Sequence, residues 1–109
     1  METDAIVLSV AEDKATEFEA EFHRFELPIW TDFHERGILL WASLQRMDIS
    51  SRPTKGAVQY LIVAAFATDE GHQLHDSDPR FQEWNQRADA YQIGAPIAFG
   101  GETILKVGG

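Results

Sequence analysis

The sequence predicts an α+β domain in the order β-α-β-β-α-β, with both helices on one face of a single sheet. Three observations carry this. Two segments repeat apolar residues at steps of three and four, the spacing of one helix face. Four short runs between and around them are rich in apolar and β-branched residues, as strands are. The middle two runs are joined by a turn short enough for an antiparallel hairpin. Right-handed crossovers then place both helices on the same face.

The elements follow in order. Residues 5–10, AIVLSV, read as a buried strand, and Asp13 as the N-cap of the helix after it. In "DKATEFEAEFHRFELPIWTDFHERG", Phe18, Phe22, Phe25, Ile29 and Phe33 form one apolar face. The acids at 17, 19, 21 and 26 read as its solvated side. Pro28 removes a backbone hydrogen bond and clashes one turn back, so a kink or break is expected near Leu27. Gly37 ends the helix. Residues 38–50 form the second strand, "SSRPTKG" the turn and residues 57–68 the third strand. Asp78 and Pro79 are the N-cap and first position of a second helix, with the stripe Phe81, Trp84, Ala88 and Tyr91 and a close at Gly94. Residues 96–99 make a short extended piece, "FGGE" and the terminal Gly-Gly read as turns, and residues 102–107 are the final strand.

The strands carry apolar residues on both faces: Leu39, Trp41 and Met47 against Leu40, Ala42 and Leu44, and Tyr60, Ile62 and Phe66 against Leu61, Val63 and Ala65. A sheet open to water on one side should alternate cleanly. An exposed apolar face of that size is rare, and a two-fold copy is its simplest cover. A homodimer with its sheets face to face is therefore expected.

At 109 residues the chain reads as one domain, 1–109. The absence of cysteine excludes disulfides, thiolate nucleophiles and cysteine-ligated metals. A net charge of −9 argues against nucleic acid and anionic membranes, whose binding rests on Lys and Arg. No apolar run approaches the ~18–20 residues of a membrane span. "METDAIVLSV" has acids where a signal peptide needs a basic start, so a cytoplasmic location is expected.

The stretches "AIVLSVAEDKATEFEAEF", "FHERGILLWASLQRMD" and "ATDEGHQLHDSDPRFQEW" resemble the dimeric α/β-barrel superfamily, and the last is similar to the antibiotic-biosynthesis-monooxygenase-like members. The resemblance covers nearly the whole chain. It implies a ferredoxin-like antiparallel sheet and a dimeric barrel. It also implies a choice among cofactor-independent monooxygenases, polyketide cyclases, lactone isomerases, haem-degrading enzymes and members without a known reaction.

Candidate chemistry is sparse. His72 and His75 share one helix face if their segment is helical, but a metal needs a third ligand, and no metal is expected. In the superfamily's polyketide cyclases a histidine just before the second helix is a general base, and His75 is similarly placed. The partner histidine on the first strand is missing from AIVLSV. On the first helix His23, Leu27, Trp30 and His34 share a stripe, and His34 near the helix end is a pocket candidate. Trp41, Ser43 and Gln45, with Tyr60 and Ser9, have the composition of a small-molecule pocket wall. Trp41 and Tyr60 could equally be dimer-core aromatics, and a one-residue register error inverts the set. Haem-degrading relatives use an Asn, a Trp and a haem-ligating His. Here Trp84 and Asn85 are adjacent and the mid-helix histidine is absent, so no cofactor is expected and Trp84 anchors the helix with one edge at the pocket. The expected function is cofactor-independent oxygenation of a hydrophobic aromatic or polyketide-like small molecule. His75 is the base, and His34, Trp41, Ser43, Tyr60 and Trp84 bind the substrate. A cyclase or isomerase, a stress-related binding module and a purely structural dimer are the alternatives.

Overall fold

The computed structural model describes residues 1–108. The strands β1 (Glu2–Ala11), β2 (Leu39–Met47), β3 (Ala57–Phe66) and β4 (Ile97–Glu102) form one sheet. Its order is β2-β3-β1-β4, and every neighbouring pair is antiparallel. The helices α1 (Ala15–Glu35), α2 (Gly71–Asp76) and α3 (Pro79–Ala88) cover one face.

Period-two alternation sorts the sheet. On β1, Glu2, Asp4, Ile6, Leu8 and Val10 share the helix side with their β3 partners Phe66, Ala64, Ile62, Tyr60 and Val58. Two apolar clusters fill the layer between sheet and helices. One gathers Leu8, Val10, Phe18, Phe22, Tyr60, Trp84 and Ala88; the other gathers Ile29, Phe33, Leu39, Ala64 and Phe66. The opposite side holds Ala5, Val7, Leu61 and Val63 at its centre. Trp41, Ile97 and Phe99 flank them and are 42%, 52% and 66% exposed. Both faces are apolar, as the strand pattern implied, and one chain covers only the first.

Several expectations need correction. α1 runs unbroken through Pro28. Pro28 lies on the exposed side, where the carbonyl it leaves unpaired can bond water, and the packed face opposite holds the helix together. Asp13 is not a cap: it sits in a 3-10 turn, Glu12–Lys14, and Lys14 precedes α1 without a side-chain cap bond. Residues 71–76 are a helical turn rather than a lead-in loop. β4 occupies 97–102, so "FGGE" is strand, while residues 103–108 belong to no element. β4 pairs with β1 from Val7↔Ile97 to Glu2↔Glu102. The Thr103 N–H reaches the Met1 carbonyl at 3.0 Å, and Ile104, Leu105 and Val107 beyond it stand exposed. The terminal Gly-Gly extends outside the described residues. Two ends behave as read. Gly37, at φ 75°, closes α1 with its N–H on the His34 carbonyl and the Ile38 N–H on the Phe33 carbonyl. Asp78 caps α3, accepting from the Arg80 N–H at 2.8 Å, with Pro79 at the first position.

Gly71 opens α2 against β3. A Cβ there would lie 2.7 Å from Phe66 Cδ1 and 2.9 Å from Phe66 Cβ. Gly71→Ala should cost about 1–3 kcal/mol through overpacking. Gly101→Ala, which meets nothing within 4 Å, should cost far less. Urea unfolding midpoints compare the two, and equal midpoints would contradict the packing.

Candidate functional site

The buried row of α1 is Phe18, Phe22, Glu26, Ile29 and Phe33. Glu26 follows Phe22 by four and precedes Ile29 by three, so helix geometry turns it inward. Phe25, read as a core position, is only half buried and stacks on Trp84 at 5.8 Å. Glu26 is therefore not on the solvated side. Its side chain is 4% exposed.

What receives it is His75 on α2. Nε2 lies 2.6 Å from Glu26 Oε1, and Nδ1 lies 3.0 Å from Asp76 Oδ1. The imidazole is wedged among Phe33, Phe66 and Phe81, with ring centroids at 5.9, 6.5 and 4.3 Å. Burial works to lower its pKa. The hydrogen bonds and charges of Asp76 and Glu26 outweigh burial and push it up to about 9. At neutral pH His75 is an imidazolium donating from both nitrogens. In that charged form the ring has no lone pair to accept a proton and serves as a donor. The second Glu26 oxygen, Oε2, is buried and has no hydrogen-bond partner.

Both residues line a cavity of about 620 Å3 between sheet and helices. Its wall is largely apolar, with Leu8, Phe22, Trp30, Ile62, Phe81 and Trp84 contributing. Asn85 adds an amide, and Glu2, Asp4 and His72 add a second polar group. His72 Nδ1 lies 2.9 Å from Glu2 Oε2, close enough for an ion pair but without hydrogen-bond alignment. Burial and the neighbouring Glu2 charge raise the Asp4 pKa. Candidate ligand atoms of Glu2, Asp4 and His72 lie within 4.8 Å of one another, so this is where a cation could be held. His72 and His75 both line the cavity, but His75 is not part of this cluster.

Of the expected site residues, His75 and Trp84 line the cavity and four do not. His34 is exposed at the end of α1, its Nδ1 2.9 Å from the Leu39 carbonyl. Trp41 and Ser43 lie on the uncovered sheet face, paired with Ala65 and Val63. Tyr60 is on the helix face but inside the first cluster. Its hydroxyl donates to Glu19, which Arg46 also binds, and burial, then Glu19, pushes its pKa up to about 12. On the helix stripe Trp30 reaches the cavity, while His23 and Leu27 are exposed. The reading of residues missed Glu26 and Asp76. The available signal for Glu26 was position: a carboxylate four residues after one buried phenylalanine.

No family model matches the sequence, and no curated protein matches it. Solved structures do match. A Nitrosomonas europaea protein provisionally described as an antibiotic biosynthesis monooxygenase superposes with TM-score 0.75 at 12% identity, over 96% of this chain and 100% of that one. HapK from Hahella chejuensis gives TM-score 0.75 at 14% identity, over 100% and 98%. A mutant of SnoaB, a cofactor-independent oxygenase from Streptomyces nogalater, gives 0.68 at 13%, over 97% and 96%. At these identities the likeness is one of fold. The chain has the α+β ferredoxin-like fold of the antibiotic-biosynthesis-monooxygenase-like structures.

The His75 shift makes stability pH-dependent. Its folded pKa of about 9 stands above the ordinary 6.5. The stabilisation is complete below pH 6.5 and is lost as pH rises through 9, by on the order of 3 kcal/mol. The charged groups facing it are Glu26 from α1, Asp76 from α2 and Asp78 beyond it. Urea unfolding between pH 6 and 10 should show this loss in the native sequence and not in His75→Gln; parallel curves would contradict it.

Proposed function

We propose that this chain works as a cytoplasmic homodimeric enzyme that takes a hydrophobic aromatic or polyketide-like molecule into the cavity and oxygenates it without a cofactor. One observation carries the reading: a buried hydrogen-bonded pair, His75 and Glu26, stands in the wall of an otherwise largely apolar cavity of about 620 Å3. That volume falls in the range of small-molecule sites, ~300–1,000 Å3. Trp30, Phe81 and Trp84 are among the aromatic residues of the cavity wall. Perturbed titratable groups in such a cavity mark sites of proton chemistry.

Cofactor-free oxygenation asks for little more. A proton leaves an activated CH2 of the substrate. The carbanion passes one electron to O2, and the radical pair joins through a C–O bond to give a peroxide anion. A proton donor converts this to the hydroperoxide. Loss of the second C–H proton then breaks the O–O bond and leaves a carbonyl and water. One CH2 and one O2 become one C=O and one H2O. The His75 imidazolium suits the donor step, and Trp84 shapes the wall. The printed description of SnoaB as a cofactor-independent oxygenase supports this class. The same pair favours a second reading, a cyclase or isomerase, because proton transfer alone is what those reactions need.

The dimer follows from the uncovered face. Trp41, Ile97 and Phe99 surround a centre of small and aliphatic residues, Ala5, Val7, Leu61 and Val63, and the face repeats its own chemistry. A second copy about a two-fold axis buries it without presenting charge to charge. Among the described residues no helix is long and apolar enough to cross a membrane.

Native mass spectrometry should show a dimer, and a monomer at micromolar concentration would overturn that part. An oxygen electrode with anthrone as probe should register one O2 consumed per product. His75→Gln should lower kcat by about 100-fold or more while circular dichroism stays unchanged. Unchanged kcat would remove His75 from the chemistry, and product formed without O2 uptake would move the assignment to the cyclase or isomerase class.

A further inference from the structure

We propose that Glu26 is a catalytic residue of this site and that it takes the proton of an acidic substrate hydroxyl, a phenol or enol, on its free oxygen Oε2. This rests on reading the cavity as a substrate site and names the group recognised there. The Glu26 side chain is 4% exposed and lines the cavity. His75 occupies Oε1 at 2.6 Å, while Oε2 is buried with no partner. Leaving a buried charged acceptor unpaired is costly, and folded proteins rarely accept that. A donor brought by a ligand would remove the cost.

The surroundings select the donor. A cationic donor would meet the His75 imidazolium, bonded to the same carboxylate. A carboxylate ligand would meet Glu26 itself and Asp76. A neutral hydroxyl meets neither repulsion. The aromatic wall favours one carried on a flat conjugated ring, whose charge spreads over the ring once the proton leaves. In the step, the substrate O–H bond breaks, the Oε2–H bond forms and the electron pair stays on the substrate oxygen. Nothing is oxidised or reduced. The sequence Glu26, His75, Asp76 leads from the cavity to a carboxylate 57% exposed, a route that returns the proton to solvent.

The test uses the full chain with two probes: 1,2-dihydroxyanthraquinone, whose colour changes when a hydroxyl ionises, and anthraquinone, which has none. Binding is followed by tryptophan fluorescence. Both probes should bind, the hydroxylated one about tenfold tighter or more. Its bound form should show the anionic band at a pH where the free dye is neutral. Glu26→Gln, of the same shape, should bind anthraquinone unchanged, lose the tenfold preference and hold the dye in its neutral form. An anionic band that persists in Glu26→Gln overturns the role of Glu26. So does equal affinity of the native protein for the two probes, a comparison that needs no variant to fold. Failure of both probes to bind the native protein overturns the cavity reading and this proposal with it.

Discussion

The contact between Glu26 and His75 is the constraint around which the interior is arranged. Taking a lone carboxylate or imidazolium out of water costs several kcal/mol, and each offsets that cost for the other. Together they bond at 2.6 Å, with Asp76 on the other ring nitrogen. The pair ties α2 to α1. Gly71 closes the same short helix onto Phe66, where no larger residue fits without movement. The end of the cavity is thus fixed by one ion pair and one close backbone approach.

Such a pair is weak evidence for stability. Well-packed apolar residues of similar volume often serve a fold as well or better. A cavity of about 620 Å3 points the same way, because empty volume in a core costs packing energy. The two features coincide in space, since both residues stand in the cavity wall. Another polar network, Tyr60 with Glu19 and Arg46, reaches from the buried Tyr60 ring to the surface. The Tyr60 hydroxyl is satisfied there, whereas Glu26 Oε2, like Glu2 Oε2, stays unpaired toward open volume. That difference separates a structural network from a chemical one.

The sheet divides the molecule's tasks. Its helix side carries the cores, the cavity and the charged pair. Its other side carries the aliphatic surface on which the dimer proposal rests. Period-two alternation forces this division, because neighbouring residues on a strand cannot share a face. Trp41 and Ser43 therefore cannot stand with Leu8 and Ile62, whatever their chemistry.

The sequence by itself determined the element order, the hairpin, the C-terminal end of α1 and the start of α3. Those depend on local rules: helical spacing of Phe18, Phe22, Ile29 and Phe33, a left-handed glycine at 37, and Asp78 before Pro79. It also determined that both sheet faces are apolar. It singled out His75, which lines the cavity. Tertiary structure decided the rest. Where β4 lies followed from its register against β1. Which strand residues face the cavity followed from register. That Glu26 is buried followed from a partner forty-nine residues away. A carboxylate on a helix reads as solvated until something across the fold supplies its opposite charge, and nothing local records that partner.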